Sequence, residues 1–435
     1  NDLVESNESD KDFHQHVSQV NPELLKTTNK NNDTHSVNNK PTDNITDNII
    51  HNLEKLTEKP LDSDISAEEI IKGLGKLKCS KACGTDSVLN EMLKYSNTQL
   101  IQPLRKLFNI VLNSGNFPQQ WSQSILAPIH KSGNVSNPSN YRGIAISSCV
   151  GKLFTLILSN RLQRLLENNN ILSPFQSGFR KDFRTSDNIF VLKTLIDKQL
   201  SVPGGKLYTC FVDFRKAFDS VWRNGLFYKV LSSGIGGNFF KILQSMYSNI
   251  EYCVKTSHGL SDYFKSSCGV RQGCNLSPLL FNLFVNDLPA TLTSPLCDPI
   301  TLKDTPISSL LWADDLVLVS QSEAGLKQCL ERLDTFCSTW KLSINRGKTK
   351  VMIFSKTGRA SNNIRSPFQS EGQTINFSNC YTYLGVDITP SGSFHRANRQ
   401  LRVKALRASF KLKSLLASNH NPSISLALDL FNSLV

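Results

Sequence analysis

Two adjacent aspartates, Asp314 and Asp315, lie between two short apolar runs at 310–313 and 316–319. This pattern predicts a hairpin of two buried strands with the acidic pair at its turn. Neighbouring carboxylates repel one another and lose hydration in such a place, and divalent cations relieve that cost. The pair therefore predicts a metal-binding turn at the edge of a sheet.

A third aspartate, Asp213, closes another strand-like run at 207–212, which is rich in β-forming residues. Each aspartate alone is explained as well by an ordinary turn, because Asp is common at turns. All three in these contexts favour two-metal nucleotidyl transfer, in which two Mg²⁺ ions clamp the attacking and leaving oxygens. Strand ends and turns would hold these ligands on rigid backbone.

Chain length, apolar runs and net charge limit the possible classes of protein. A chain of 435 residues is long enough for two or three domains, or for one elaborate domain with extensions. It has no run of about 18 apolar residues and no signal pattern, so we expect no membrane partner and an intracellular location, cytoplasmic and nuclear. The net charge of +13 favours an acidic polymer as partner, although many basic proteins merely have a solvated basic face.

Composition and periodicity divide the chain. The predicted parts are a disordered or linker segment at 1–60, an N-terminal helical extension at 61–111, a domain of mixed strands and helices at 112–389 and a truncated helical segment at 390–435. The first is rich in Asn, Asp, Thr and Lys and cannot bury enough apolar surface to offset the entropy of ordering. Ser66 and Glu69 form a capping box where order begins. The order of elements indicates an α+β fold.

Further helix boundaries are predicted from local signals. A long helical stretch is expected from Leu89 to Leu112. Ser277 is expected to be the N-cap of a buried helix. Ser320 and Glu323 are expected to form a second capping box after the acidic hairpin.

Three segments carry a specific combination of residues: Phe211 to Asp219, Gly269 to Pro278 and Trp312 to Asp315. Four more blocks agree with them in order and spacing, at 131–146, 176–180, 345–354 and 383–386. Together they resemble reverse transcriptases of non-LTR (LINE-type, jockey-like) retrotransposons. The resemblance spans roughly 70 to 410 and is specific as a combination, whereas no single block would be.

This resemblance implies a right-hand polymerase with fingers, a palm built on an antiparallel sheet and a partial thumb. Residues 112–389 would be the reverse transcriptase domain, with fingers and palm, and 390–435 the start of the thumb. The implied activity is that of an RNA-directed DNA polymerase, which adds deoxynucleotides to a primer 3′-OH. The implied cofactors are two Mg²⁺ ions, with Mn²⁺ as an alternative. The implied partners are an RNA template, a DNA primer or target, and deoxynucleoside triphosphates.

The resemblance also assigns the catalytic groups. The metal ligands would be Asp213, Asp314 and Asp315, assisted by the carbonyl of Phe214. Lys348 matches a lysine that protonates the leaving pyrophosphate as a general acid. An exposed loop lysine is the competing explanation for Lys348.

Substrate-binding residues are implied in the same way. They are Lys131 and Arg142 for the triphosphate, Phe218 as a steric gate against the 2′-hydroxyl, and Gln272 and Gly273 for the nucleotide and template. The primer grip would be Tyr383, Leu384 and Gly385. Without the resemblance these positions could equally be loop cations, a core aromatic, turn glycines and a plain hairpin. Trp312 and Gly143 depart from the family pattern, which leaves the pocket shape and the rigidity of the fingers open.

A basic segment lies near the end of the chain. Its cations are Arg396, Arg399, Arg402, Lys404, Arg407, Lys411 and Lys413. Their spacing puts many on one helical face, which indicates a thumb helix that tracks a nucleic-acid backbone or, alternatively, a solvated helix face. Two other functions stay open at this point. One is a catalytically impaired, nucleic-acid-binding relic, and the other is a palm polymerase that makes RNA or a relative of intron maturases.

Overall fold

The computed structural model describes residues 61–131, 133–256, 258–358, 367–418 and 423–434. The predicted disordered segment at 1–60 lies outside the described residues. The chain divides into two compact units, each built from several stretches. Unit 1 contains the described residues up to Lys181 together with Phe214–Leu288 and Thr335–Ser343. Unit 2 contains Asp182–Asp213, Pro289–Asp334 and the described residues from Ile344 onward.

The helices, in chain order, are α1 (Ala67–Lys76), α2 (Asn90–Lys94), α3 (Ile101–Ser114), α4 (Gln119–Ser122), α5 (Cys149–Asn168), α6 (Thr185–Ser201), α7 (Arg223–Ser232), α8 (Gly237–Ser248), α9 (Ser277–Phe284), α10 (Leu288–Leu292), α11 (Glu323–Trp340), α12 (His395–Ser418) and α13 (Ile424–Leu434). No helix in the part of the chain that the structure describes is long and apolar enough to cross a bilayer.

The strands, in chain order, are β1 (Gln123–His130), β2 (Tyr141–Ser147), β3 (Lys206–Asp213), β4 (Glu251–Thr256), β5 (Gly259–Leu260), β6 (Phe264–Lys265), β7 (Ile300–Leu302), β8 (Thr305–Ile307), β9 (Ser309–Trp312), β10 (Asp315–Ser320), β11 (Lys350–Ser355), β12 (Gln369–Ser370), β13 (Gln373–Thr374), β14 (Tyr381–Tyr383) and β15 (Val386–Ile388). Helices and mainly antiparallel strands are intermixed along the chain, which confirms the predicted α+β class.

Unit 1 is built on a mixed sheet in the order β2-β1-β4-β5, with β6 also paired to β4. Strands β1 and β2 form an antiparallel hairpin, and β4 runs parallel to β1. An aromatic cluster from three helices packs the core beside the sheet: the Phe108 and Phe154 ring centroids lie 5.3 Å apart, and those of Trp121 and Phe154 lie 5.7 Å apart. Burial of these large rings is the main stabilising term available to such a core.

The predicted capping box at the start of α1 is present, because Ser66 Oγ accepts from the Glu69 amide and Glu69 accepts from the Ser66 amide. Glu69 has a second role, as the counter-ion of the buried Arg161 guanidinium at 2.7 Å. Arg161 also donates to the carbonyls of Leu61, Ser63 and Asp64. One buried arginine thus ties the start of the described chain to α5.

Unit 2 is built on an antiparallel sheet in the order β11-β3-β10-β9. Its strands are buried nearly throughout, as expected from the apolar runs at 207–212 and 316–319. Both predicted strands are confirmed, and so is the one predicted at 351–354, which lies within β11. The hairpin predicted around 375–388 is confirmed as the shorter pair β14 and β15.

Two predicted helix boundaries were wrong. The stretch from Leu89 to Leu112 is broken into α2, a 3₁₀ turn at Asn97–Leu100 and α3. Pro103 explains the break, because its ring would clash with the carbonyl four residues earlier in a continuous helix, whereas the first turn of α3 accommodates it. The N-cap of α9 is Leu276, not Ser277. The Ser277 hydroxyl instead donates to the Arg271 carbonyl.

The second predicted capping box was also wrong. Ser320 belongs to β10, and its hydroxyl donates to the Cys297 carbonyl at 2.9 Å. Helix α11 begins at Glu323, and Ser322 Oγ accepts from the Gly325 amide at 3.1 Å. Ser322 therefore caps the helix, since a side-chain oxygen that accepts from the amide three residues on satisfies one of its free donors.

We expect the Glu69→Gln substitution to lower the free energy of unfolding by about 3 kcal/mol at pH 7, because it leaves the buried Arg161 charge without its partner. Burial alone would raise the pKa of Glu69. The hydrogen bonds from Arg161 and Ser66 and the charges of Arg161 and Arg164 nevertheless lower that pKa below its ordinary 4.5. The contribution of Glu69 is therefore complete above that value and is lost as the pH falls through the folded-state pKa.

Urea unfolding at several pH values measures this effect. The difference between wild type and Glu69→Gln should shrink towards zero below pH 4. Glu331→Gln, at an exposed position of α11, is the matched control and should change little. A pH-independent difference for Glu69→Gln would contradict the ion-pair explanation.

Candidate active site

The antiparallel pairing of β3 with β10 places Asp213 directly opposite Asp315. Directly opposed residues of antiparallel strands point to the same face, with their Cβ atoms about 5 Å apart. Asp314 is the second residue of the two-residue turn between Trp312 and Asp315, which are themselves paired. The sheet register alone therefore gathers three carboxylates that are far apart in the sequence.

The three charges interact. Desolvation, followed by repulsion from Asp314 and then from Asp213, raises the pKa of Asp315 from its ordinary 3.8 to about 6. By surface area, however, the Asp315 side chain is exposed. The charges of Asp314 and Asp213 therefore add to the partial desolvation of this carboxylate. Each carboxylate therefore raises the cost of ionising the next.

The turn that carries Asp314 is strained. Ala313 has a φ of 56°. This left-handed conformation is uncommon for a residue with a Cβ and costs about 1 kcal/mol or more. The neighbouring pairing of Trp312 with Asp315 holds the residue in this conformation. Strain that is held by well-packed neighbours is a common property of functional turns.

The backbone of Asp213 is fixed by residues 345–349. The Asn345 amide donates to the Asp213 carbonyl at 2.7 Å, and the Asp213 amide donates to Thr349 Oγ1 at 3.2 Å. Lys348 is an exposed member of the same turn, and its amide donates to the Asn345 carbonyl at 3.1 Å. The structure thus brings the Lys348 segment to Asp213. Sequence reasoning placed Asn345 and Thr349 in the block at 345–354 but assigned neither of them a role.

An aromatic surface lies on the Asp213 face of the sheet. Phe211, two residues before Asp213, stacks on Tyr381, with centroids 4.4 Å apart and an interplanar angle of 16°. Desolvation, and then the charges of Asp315 and Asp213, raise the pKa of Tyr381 to about 12. Tyr381 is therefore close enough to the carboxylates to feel their charge. It was not predicted as a site residue, because it lies just outside the recognised block at 383–386.

The predicted primer-grip residues form the tip and one strand of the β14–β15 hairpin. Tyr383 is buried, and its hydroxyl accepts from Asn188 Nδ2 at 3.4 Å. The same amide donates to the Leu311 carbonyl of β9 at 3.0 Å. Leu384 and Gly385 have φ angles of 48° and 84° and make the two-residue turn. Two successive positive φ angles suit the twist of a tight hairpin.

Asp387 connects this hairpin to the basic helix α12. Its buried carboxylate accepts from Thr382 Oγ1 at 2.6 Å, from Gln400 Nε2 at 2.7 Å and from Arg396 Nε at 3.2 Å. Because the three donors come from two elements, the carboxylate fixes the start of α12 against the hairpin. Sequence reasoning missed Asp387, since a single Asp in a strand carries no distinctive spacing.

In unit 1, two predicted substrate-binding cations lie at the loop end of the β1–β2 hairpin, where residues 131–140 connect the strands. Arg142 is exposed and opposite Ile129. Lys131 is exposed just beyond β1, and its amide donates to the Asn140 carbonyl at 2.9 Å. The structure therefore brings these two charges to one end of one hairpin.

The remaining predicted residues of unit 1 lie in two segments, at 214–218 and 272–273. Phe214 is buried, whereas Phe218 is half-buried and stacks on Phe281, with centroids 4.5 Å apart. Gly273 has a φ of 93°, and a Cβ there would lie 2.9 Å from the Ala145 carbonyl oxygen. Gln272 Nε2 donates to the carboxylate of Asp219. A glycine is thus required at 273 both by its backbone angle and by close approach to β2.

The three carboxylates are the candidate metal ligands. Among the described residues, no three His, Cys, Asp or Glu side chains form a group that could hold a metal ion as they stand. The donor chemistry nevertheless fits, because carboxylate oxygens are the ligands that Mg²⁺ prefers. Desolvation and the charges of Asp314 and Asp213 raise the pKa of Asp315, a cost of ionisation that a bound cation would offset. The assignment of Asp213, Asp314 and Asp315 as metal ligands stays a prediction.

We expect Asp315→Asn to stabilise the protein against unfolding in the absence of divalent cations, by about 1 kcal/mol at pH 7.5 after solvent screening. The unfolded chain loses the Asp315 proton at a lower pH than the folded protein does. Between pH 4 and 6 the wild-type free energy of unfolding therefore falls as the pH rises. The advantage of the Asn variant should therefore grow across this window and stay constant above it.

Thermal unfolding in EDTA across this pH range is the measurement. Asp304→Asn, in the exposed turn between β7 and β8, is the control and should show no such pH dependence. Equal unfolding temperatures for wild type and Asp315→Asn at pH 7.5 would contradict the repulsion.

Comparison with known proteins finds a family match and several similar proteins. Residues 129–388 match the reverse transcriptase (RNA-dependent DNA polymerase) family. A probable RNA-directed DNA polymerase from transposon BS of Drosophila melanogaster is 29% identical over 74% of this chain and 36% of its own length. The RNA-directed DNA polymerase from mobile element jockey of the same organism is 25% identical over 89% of this chain and 43% of its own length.

A solved structure, apo telomerase from Candida tropicalis truncated from its C-terminal domain, is 14% identical, with a TM-score of 0.46 over 89% of this chain and 90% of that one. The chain spans less than half the length of the two curated relatives. The relatives from mobile elements confirm the jockey-like resemblance. Because the family match at 129–388 covers more than half of the 435 residues, the chain belongs to the reverse transcriptase (RNA-dependent DNA polymerase) family.

Proposed function

We propose that this chain is the polymerase part of a non-LTR retrotransposon protein and adds deoxynucleotides to a primer 3′-OH on an RNA template. The observation that carries the proposal is the register of β3 against β10, which opposes Asp213 to Asp315 and puts Asp314 at the adjoining turn. The family match spans these residues. The names of the jockey and BS relatives support the same activity.

In this proposal Asp213, Asp314, Asp315 and the carbonyl of Phe214 hold two divalent cations. Bound Mg²⁺ would neutralise these carboxylates and stabilise the charge that develops on the attacking and leaving oxygens. The chain itself contributes rigidity. Asp213 is clamped by Asn345 and Thr349, so the ligands are oriented before substrate arrives.

The incoming triphosphate would be bound by Lys131 and Arg142. Arginine can fork onto two phosphate oxygens, whereas lysine offers a compact charge, so the pair suits an extended polyphosphate. Lys348 would donate a proton to the leaving pyrophosphate. Its place in the turn that clamps Asp213 supports this role.

Selection of deoxynucleotides is assigned to Phe218. Its ring stacks on the buried Phe281 and makes an edge contact with Phe179 at 6.2 Å, so it cannot turn aside easily. A ring fixed beneath the sugar would leave no room for a 2′-hydroxyl. Gln272 and Gly273 would contact the base and template beside it.

The primer end and the nucleic-acid backbone beyond it are assigned to unit 2. Tyr383, Leu384 and Gly385 would grip the primer end, and the exposed cations of α12 would follow a nucleic-acid backbone. In right-hand terms, we assign the β1–β2 hairpin to the fingers, the β11-β3-β10-β9 sheet to the palm and α12 to the start of the thumb. With an RNA template and a DNA target, the proposed location is intracellular, cytoplasmic and nuclear.

Primer extension on an RNA template with Mg²⁺ and deoxynucleotides tests the activity. We expect Asp213→Ala and Asp314→Ala each to lower the rate by about 10³-fold or more, since each removes a metal ligand from the reacting centre. Asp304→Ala, on an exposed turn of the same unit, should leave it unchanged. Unchanged extension by Asp213→Ala and Asp314→Ala would refute the metal assignment. Retained nucleic-acid binding without any wild-type extension would identify an inactive relic instead.

Phe218→Ala tests the gate. We expect discrimination against ribonucleotides, measured as the ratio of kcat/KM values for a deoxynucleotide and its ribonucleotide, to fall by about 10-fold to 100-fold, as for other steric pockets. Phe190→Ala is the matched control, because Phe190 is a phenylalanine with 72% of its surface exposed. An unaltered ratio in Phe218→Ala would remove the gate from the proposal.

A further inference from the structure

Asp219 lies one residue after the gate residue Phe218 and has no role in the site described above. Its side chain is exposed, and its carboxylate accepts a hydrogen bond from Gln272 Nε2. The two residues are more than fifty positions apart, so the contact depends on tertiary structure. A surface carboxylate that reaches a residue assigned to the nucleotide is a candidate for positioning.

The backbone around this contact is locked. The Val270 amide donates to the Phe218 carbonyl, and the Gly269 amide donates to the Val221 carbonyl, both at 2.8 Å. A Cβ at Gly269 would lie 2.5 Å from the Asp219 carbonyl oxygen, so the two segments meet without a side chain between them. The main chains at 218–221 and 269–270 therefore behave as one rigid support.

Arg223 reinforces that support from below. Its buried guanidinium donates to the carbonyls of Gly269 at 3.0 Å, Cys268 at 2.9 Å and Tyr247 at 3.1 Å, and also to Ser266. The carbonyls of the loop before Gln272 are thereby held without any contribution from Asp219. Removal of the Asp219 carboxylate should consequently leave the loop backbone in place.

What the carboxylate does fix is the Gln272 amide. A glutamine side chain has several rotatable bonds and two chemically different ends, an NH₂ donor and a carbonyl acceptor. An ionised carboxylate only accepts, so it selects the orientation in which Nε2 faces Asp219 and Oε1 faces away. Without it the amide can rotate, and ordering it again when the nucleotide binds costs side-chain entropy.

We propose that Asp219 is a positioning residue that holds the Gln272 side chain in one rotamer, with its carbonyl oxygen free to accept a hydrogen bond from the incoming nucleotide. The effect of this positioning on nucleotide binding rests on the proposed function, because it requires Gln272 to contact the nucleotide. The orientation itself does not depend on that assignment.

The orientation is tested first, without any reaction. In protein with ¹⁵N-labelled glutamine, the Gln272 side-chain amide is identified as the NMR signal that Gln272→Ala lacks. We expect its two protons to be shifted away from the bulk of glutamine amides in wild type and to join them in Asp219→Ala. Asp262→Ala, another exposed aspartate of unit 1, should leave the signal in place. A Gln272 signal that is the same in wild type and Asp219→Ala would overturn the proposal.

A double-mutant cycle then tests the consequence. We expect Asp219→Ala to raise the KM for deoxynucleotide by about 10-fold with kcat nearly unchanged, the usual cost of losing a charge-assisted hydrogen bond. In a Gln272→Ala background the same change should alter KM by less than about twofold, because the group it positions is gone. Asp219→Asn, which keeps the shape and one acceptor oxygen, should fall between wild type and Asp219→Ala.

These outcomes distinguish the positioning of Gln272 by Asp219 from the contact of Gln272 with the nucleotide. Equal effects of Asp219→Ala in both backgrounds would show an independent role and would overturn the positioning. If wild type is active and Gln272→Ala leaves the KM for deoxynucleotide unchanged, Gln272 does not contact the nucleotide, and the predicted effect of Asp219→Ala on KM is refuted as well. Absent polymerisation by wild type would count against the proposed function, and the NMR result would still decide the orientation. Matching thermal unfolding of all variants shows that the fold is unaltered.

Discussion

The hydrogen-bonded pairing of β3 with β10 is the constraint on which the site depends. A shift of one residue in this register would turn every side chain to the other face of the sheet, so the apolar faces of both strands specify it strongly. The register that buries Val212 and Leu316 also opposes Asp213 to Asp315. Apolar burial is thus the force that brings like charges together, and the resulting repulsion is the property that a divalent cation would relieve.

Within each unit, buried polar groups connect segments that are distant in sequence. Arg161 and Arg223 each satisfy several backbone carbonyls, and Asp387 joins a hairpin to a helix. A buried charge is tolerated only where hydrogen bonds compensate for its lost hydration. Each such residue therefore specifies one arrangement of loops, which apolar packing alone would define less sharply.

Local signals predicted elements well where one interaction dominated. The strands at 207–212 and 316–319 and the capping box at Ser66 were predictable, because apolar runs and cap spacing are short-range patterns. Prediction failed where tertiary contacts competed. Ser277 and Ser320 had the right chemistry for caps, but their hydroxyls bind the carbonyls of Arg271 and Cys297 instead. The break before α3 was visible in Pro103 and was overlooked.

The sequence by itself determined the chemistry: three aspartates at strand ends and turns, a combination of motifs typical of reverse transcriptases, and a basic C-terminal segment. Only the tertiary structure decided which of these groups meet. It opposed Asp213 to Asp315, rather than to Asp314, and joined Asp219 to Gln272. Residue types and spacings record local preference, whereas register and long-range hydrogen bonds arise from the packing of segments that are distant in the chain.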